Sequence, residues 1–186
     1  LANYYAEEGE WPQADFHFDQ AEALAQASAD LCLYIGMVEE RIHINAIHFR
    51  GDFAQGIARL EELLPLLDQA AIAIDDAQNL RFRILQSLPI LAIRQRAYGT
   101  AIHYAQEALA LARQLAHRHR QCSILLDLAL AEQFAGLYEQ AVAHNLASLA
   151  IAEEIGDADE VALLKANLCL TLRQQGALTE ALAYGE

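Results

Sequence analysis

The chain has 186 residues, of which 55% are hydrophobic and 20% charged, so it can bury a core and is not expected to be disordered. Its formal net charge of −14 argues against direct binding to nucleic acid or to an anionic membrane surface. No apolar run approaches the ~18 residues of a membrane span. Cys32, Cys122 and Cys169 are far apart and odd in number, which predicts reduced core residues in a cytoplasmic protein rather than a disulfide framework.

Small and apolar residues recur with the period of an α-helix, and the sequence has no clear alternation of Val, Ile or Thr that would indicate strands. The pattern therefore predicts an all-α fold. The predicted helices cover residues 1–8, 11–28, 30–50, 53–74, 77–95, 98–116, 119–135, 138–155, 158–175 and 178–186. The sequence begins and ends within helical segments, and we interpret it as a piece cut at both ends from a longer chain.

A short motif recurs five times, between the two helices of each predicted pair. It ends at Ala14, Gly56, Ala101, Ala141 and Ala181, at steps of 42, 45, 40 and 40 residues. Each copy has a turn residue, which is Gly in four of the five, a large apolar residue two positions later and a small residue three positions after that. Gly ends a helix in a left-handed conformation, the large side chain fills the gap between two helices, and the small residue lets their backbones approach.

Three residues interrupt this pattern in the second and third repeats. Arg96 replaces Gly at the third turn, where a left-handed conformation costs a residue with a Cβ atom ~1 kcal/mol. Pro65 and Pro89 fall inside predicted helices, where proline removes a hydrogen bond and clashes with the previous turn. We therefore expect repeats two and three to be the irregular part of the structure.

The repeats resemble the tetratricopeptide repeat (TPR) family over essentially the whole chain. The residues that carry the resemblance are Leu128-Ala129 and Leu168-Cys169 for the family's Leu-small pair, and Gly136, Tyr138 and Ala141 for its turn motif. The 40-residue step exceeds the ~34 residues of the basic repeat and is similar to that of bacterial maltose-regulator-type transcription activators and signalling ATPases. The resemblance implies a right-handed α-solenoid of about five antiparallel helix pairs, in one domain with repeats at about 1–29, 30–75, 76–117, 118–156 and 157–186.

The resemblance also implies that the first helix of each pair lines a concave groove. Polar residues projected into it predict a binding site of Arg41, Asn45, His48, Arg83, Gln86, Gln133, Asn167 and Arg173, with Asn3, Ser87, Arg94 and Asp127 on the same side. Because arginine holds carboxylates in two-pronged geometry, Arg41, Asn45 and Arg83 suggest an acidic or carboxylate-bearing partner. The alternative is that these arginines pair with acids of the chain itself.

No motif predicts catalytic residues, metal ligands or a cofactor. The sequence has no P-loop, nucleophile elbow or dinucleotide fingerprint. His43 and His48 are five positions apart, so they do not share the helix face that two metal ligands need. Adjacent acids such as Glu39 and Glu40 are interpreted as solvated helix faces rather than a catalytic dyad.

We therefore expect a non-enzymatic binding module for a protein or peptide, within a larger bacterial signalling or transcription-regulatory protein. Three alternatives stay open: a sensor domain for a small effector, an all-helical enzyme domain, and a structural spacer. The exposed ends of a cut solenoid would also allow self-association.

Overall fold

The computed structural model describes residues 1–48, 50–69 and 73–185. Every regular element in these ranges is an α-helix, which confirms the predicted fold class. The helices are α1 (Ala2–Glu7), α2 (Trp11–Ala27), α3 (Leu31–Ile47), α4 (Phe53–Leu63), α5 (Leu66–Gln69), α6 (Ile74–Arg94), α7 (Tyr98–Gln114), α8 (Arg118–Phe134), α9 (Tyr138–Ile155), α10 (Ala158–Gln175) and α11 (Leu178–Gly185).

The chain divides into two compact units, Leu1–Ser87 (unit 1) and Leu88–Glu186 (unit 2), and the boundary falls within α6. In unit 1, α2 packs against both α1 and α3. In unit 2, the helices from α7 to α11 each pack against the next in chain order. Sequential packing of this kind is what a stack of helix pairs requires. The arrangement of all five repeats in one domain stays a prediction.

The recurring motif forms the turns that its residues predict. The large apolar residue opens the second helix of each pair, at Trp11, Phe53, Tyr98, Tyr138 and Leu178. The turn residue two positions earlier has a positive φ in all five copies, including 61° at Arg96 and 78° at Gly136. The small residue of the motif is buried in four copies and half-buried at Gly56. The packing of each helix pair therefore follows directly from the motif.

The helix predicted over residues 53–74 is not continuous. α4 ends at Leu63 and α5 begins at Leu66, because Pro65 has no amide hydrogen to donate and its ring clashes with the preceding turn. The rest of the predicted span includes residues 70–72, which lie outside the described ranges. Pro89, in contrast, lies within the continuous helix α6, whose neighbouring side chains Leu88 and Leu91 are fully buried. Their packing offsets the hydrogen bond that Pro89 cannot make.

Candidate binding surfaces of the two units

In unit 1, a row of polar contacts joins the first helices α1, α3 and α6. The side-chain amide of Asn3 donates to Glu40 Oε1 at 2.8 Å, and Arg83 donates to Glu40 Oε2 at 2.5 Å. We call Asn3, Glu40 and Arg83 the polar row. Since each residue comes from a different first helix, these helices lie side by side in unit 1, as the repeat predicts.

A buried network connects the polar row to the interior between α3 and α6. The guanidinium of Arg83 lies 2.5 Å from Glu39 Oε2, and Ser87 donates its hydroxyl to Glu39 Oε1 at 2.7 Å. His43 Nδ1 is 2.9 Å from the same hydroxyl oxygen. Because the Ser87 proton is used toward Glu39, the imidazole must supply the proton of this second hydrogen bond. The Ser87 side chain is buried, so the contacts of this Glu–Ser–His arrangement join α3 to α6 inside the protein.

Two sequence-based interpretations are wrong here. Glu39 was expected on a solvated face, but it is 3% exposed, and Ser87 was expected in the groove, but it is 1% exposed. Glu39 follows Ile35 and Val38 by four and one positions, and both are buried on the same helix. An acid on a buried apolar stripe is the signal that could have revealed the network.

Arg41 is held by a second cluster of acids from α2. Its NH1 group donates to Asp19 at 2.7 Å and to Glu22 at 3.2 Å, and its NH2 group lies 3.9 Å from Asp15. Burial by itself would lower the pKa of Arg41, but the hydrogen bonds that its guanidinium donates to Asp19 and Glu22 outweigh this effect, and the pKa is raised. Arg41 is therefore a fixed cation that ties α3 to α2.

These contacts contradict the idea that Arg41 and Arg83 are open to an acidic partner, because acids of α2 and α3 already hold both. The remaining arginines of unit 1 are paired as well: Arg50 with Asp15, Arg59 with Glu22 and Arg81 with Asp68. Residues 1–87 contain five arginines, no lysine and fifteen acids, which gives unit 1 a formal charge of 5 − 15 = −10. The alternative that the arginines pair internally is the one that the structure supports.

The other residues of unit 1 that were predicted for the groove differ in burial and in their position along the helices. Asn45 and Gln86 are half-buried. His48 is exposed at the C-terminal cap of α3, where its ring contacts Trp11 edge-on at 5.0 Å between centroids. His48 therefore belongs to the turn side of α3 and not to the polar row.

A cavity of about 450 Å³ adjoins the polar row in unit 1. Asn3 and Glu40 belong to both, and the other walls are mainly apolar, with Phe18, Leu24 and Met37 among them. An apolar surface beside a carboxylate can accommodate an apolar side chain and an adjacent cationic one.

In unit 2, the facing first helices are α8 and α10. Gln133 on α8 donates its amide to Gln174 Oε1 on α10 at 3.0 Å. Asn167 is half-buried and Arg173 is exposed, both on α10. Of the three residues predicted in this unit, the described contacts bring only Gln133 to the neighbouring first helix.

Asp127 is the one titratable side chain of unit 2 whose pKa is raised into the neutral range among the described residues. Burial is the main cause, and the charge of Glu160 adds to it, so that the pKa is about 7. The sequence places Asp127 on the groove side but gives no sign of this pKa shift, because it shows neither the burial of the carboxyl nor the approach of Glu160, which is 33 positions away on α10.

Three further observations bear on the expected functional classes. None of the described helices combines the length and apolar character needed to cross a membrane. In the described ranges, no three His, Cys, Asp or Glu side chains form a group that could hold a metal ion. The cysteines are free, and the predicted core position is confirmed for Cys122, whereas Cys32 and Cys169 are half-buried.

The sequence matches no protein-family model and no curated protein. Among solved structures, aspartyl phosphate phosphatase F from Bacillus subtilis superposes with a TM-score of 0.85 and 13% identity, over 98% of this chain and 46% of that chain. TPR-like repeats of a putative kinesin light chain from Podospora anserina superpose with a TM-score of 0.68 and 14% identity, over 99% of this chain and 88% of that chain. Bacillus thuringiensis PlcR, in complex with the peptide PapR7 and DNA, superposes with a TM-score of 0.71 and 12% identity, over 98% of this chain and 67% of that chain.

These similarities establish the class of fold. The chain has the architecture of TPR-like helical solenoids, which confirms the fold that its turn motif predicts. It spans less than half of the phosphatase and about two thirds of PlcR.

Proposed function

We propose that the chain is a non-catalytic TPR-type module that binds a peptide or protein segment within a larger cytoplasmic regulator. The polar row carries this proposal, because it offers Asn3, Glu40 and Arg83 from three adjacent first helices beside an apolar cavity. The peptide present in the PlcR complex, on a chain of the same fold, supports a peptide rather than a metabolite as the ligand. In unit 2, Gln133, Asn167 and Arg173 remain predicted contacts for the same kind of ligand.

The charge of unit 1 favours a basic peptide. An anionic ligand would have to displace Glu39 and Glu40 from Arg83, and the net charge of −10 would repel it. Glu40, in contrast, still has acceptor capacity, since an ionised carboxylate can accept about four hydrogen bonds and two are described. We therefore propose a segment in which Lys or Arg reaches Glu40 and a neighbouring apolar side chain enters the cavity.

A peptide selection followed by affinity measurements tests this proposal. The full chain is used to select from a random peptide library, and the selected peptides are titrated into the parent protein, Glu40→Gln and Glu62→Gln. We expect enrichment of a basic residue next to an apolar one, and weaker binding to Glu40→Gln by about tenfold, the loss typical of one charge-assisted contact. Glu62, an exposed acid on α4, provides the matched control for loss of one charge.

Two results would count against the proposal. Equal losses for both variants would mean that the peptides respond only to the overall charge. Selection without any enriched sequence would mean that the polar row does not bind peptides.

A further inference from the structure

In the described part of the chain, the ring that opens a second helix is contacted at two places by a ring at the end of the following first helix. In unit 1, Trp11 of α2 contacts His48, which lies 37 positions further on. In unit 2, Tyr98 of α7 stacks on Phe134 of α8, 36 positions further on, with 5.8 Å between centroids and 14° between planes. Both contacts place a second ring against the aromatic residue of the turn motif.

The next repeat of unit 2 has the first ring but not the second. A step of 40 residues takes Tyr98 to Tyr138 and Phe134 to Gln174. The side chain of Gln174 is engaged by the amide of Gln133 at 3.0 Å and provides no aromatic face. Next to Tyr138 the structure has a hollow of about 350 Å³, lined by residues 136–140 and by Gln175, the neighbour of Gln174.

The chemistry of the hollow suits a planar cation. Tyr138 contributes a half-buried aromatic ring, Glu139 an exposed carboxylate, and Gln175 an amide. Within the described part of the chain, Glu139 forms no ion pair. A guanidinium group can stack on an aromatic face while its N–H groups bind a carboxylate.

Unit 1 contains an arginine that contacts both an aromatic ring and a carboxylate of the same chain. The guanidinium of Arg50 lies 4.1 Å above the ring of Trp11 and 3.3 Å from the carboxylate of Asp15. Trp11 occupies the same motif position as Tyr138. The acids differ in position, since Asp15 is four residues after Trp11 whereas Glu139 directly follows Tyr138. The repeat can therefore form an arginine site at this position when a guanidinium is supplied.

We propose that the hollow between Tyr138 and Gln175 binds an arginine side chain of a protein partner. The guanidinium stacks on Tyr138 and donates to the carboxylate of Glu139 and to the side-chain oxygen of Gln175. This site lies in unit 2, at the turn between α8 and α9, so it does not depend on the polar row of unit 1 or on the peptide proposed for it.

NMR titration of the full chain with the tripeptide Ac-Gly-Arg-Gly-NH2 provides the test. We expect saturable shifts confined to the backbone amides of residues 136–140 and to the side-chain amide of Gln175. The corresponding lysine tripeptide should bind several-fold more weakly, because its ammonium group is not planar. The citrulline tripeptide should also bind several-fold more weakly, because its side chain is neutral.

Three variants separate this site from general attraction to an acidic protein. Gln174→Phe supplies the ring that Phe134 supplies one repeat earlier, and should fill the hollow and abolish the shifts. Glu139→Gln should weaken binding, whereas Glu153→Gln, an exposed acid on the same helix, should not. Should Gln174→Phe not fold, Tyr138→Leu removes the stacking face with a residue that the fifth repeat carries at this position, Leu178.

The proposal is overturned if the arginine tripeptide produces no shifts, or if its shifts spread evenly over the acidic surface. It is also overturned if neither Gln174→Phe nor Tyr138→Leu changes them. Each of these results leaves the peptide selection on unit 1 unaffected, so failure of one proposal can be told from failure of the other.

Discussion

Asp127 on α8 lies within electrostatic reach of Glu160 on α10, and both helices pack against α9. Burial of the Asp127 carboxyl and, to a smaller extent, the Glu160 charge raise the pKa of Asp127 to about 7. In an unfolded chain the pKa of Asp is about 3.9. Between these two values the folded protein holds a proton that the unfolded chain has released.

The first prediction is that the free energy of unfolding falls as the pH rises between these two values, because the unfolded chain binds fewer protons than the folded protein there. A raised folded-state pKa contributes stability that is fully present below about pH 4 and is lost as the pH passes through about 7. The full shift corresponds to ~4 kcal/mol, and because Asp127 is only half-buried as a residue we expect about 1–2 kcal/mol.

Asp127→Asn should remove this loss. The variant should match the parent in free energy of unfolding at low pH and exceed it above neutral pH, as measured by urea denaturation across the range. Glu153→Gln, which removes an exposed charge from α9, should leave the pH dependence unchanged. A parent and an Asp127→Asn variant with parallel profiles would show that Asp127 is ionised in the folded state.

The second prediction concerns two alanines that follow helices in different conformations. Ala116 after α7 has a φ of 54°, whereas Ala135 at the end of α8 has a φ of −77°. Glycine relieves the strain of a positive φ but adds flexibility to the unfolded chain at both sites. We expect Ala116→Gly to stabilise the protein by about 0.5–1 kcal/mol and Ala135→Gly to destabilise it by a similar amount. Thermal melting should show shifts of opposite sign, and shifts of the same sign would contradict the conformational reason given.

The third prediction separates a buried ion pair from an exposed one on the same helix. Arg83 faces Glu39, which is 3% exposed, whereas Arg81 pairs with Asp68, whose side chain is 71% exposed. Arg83→Met leaves a carboxylate buried without its cation and should cost about 2 kcal/mol, less than a fully buried pair because Arg83 itself is partly exposed. Arg81→Met should cost less than about 0.5 kcal/mol.

Chemical denaturation of the two single variants provides the comparison, and Glu39→Gln combined with Arg83→Met should recover part of the loss. If Arg81→Met costs as much as Arg83→Met, burial of Glu39 does not set the strength of the network.

The turn motif made the fold predictable because its information is local. Gly136, Tyr138 and Ala141 lie within six positions of one another, and each determines a feature of its own turn or helix start. The residue type at Arg96 pointed the other way: a departure from the motif is expected there, but Arg96 keeps the left-handed conformation of the four turn glycines, with a φ of 61°.

The pairing of charges was not predictable in this way. Arg83 meets Glu40 across 43 positions, and Arg41 meets Asp19 across 22. Which of fifteen acids in unit 1 reaches which arginine depends on the rotation of each helix about its axis, and a hydrophobic pattern fixes that rotation only coarsely. The identity of the polar row therefore required the structure, although its location on first helices did not.

The fourth prediction concerns the apolar side chains at the surface of α10 and α11. Leu163 and Leu170 are exposed and, seven positions apart, lie on the same side of α10, and Leu178 and Leu182 are exposed on α11. An apolar face of this kind favours association, as expected for the end of a helical stack. The net charge of −14 opposes contact between copies, so association should strengthen with salt as well as with protein concentration.

Sedimentation velocity at low and high salt measures this association directly. Leu163→Lys places a charge on the apolar face and should shift the equilibrium toward the monomer, because burying an unpaired ammonium group costs several kcal/mol. Ala162→Lys makes the same change in charge at an exposed position about 100° further around α10, and should have a much smaller effect. A monomer at all concentrations and salt levels would mean that this face is too small or too polar to associate. Equal effects of the two variants would mean that net charge, rather than the leucine face, controls the association.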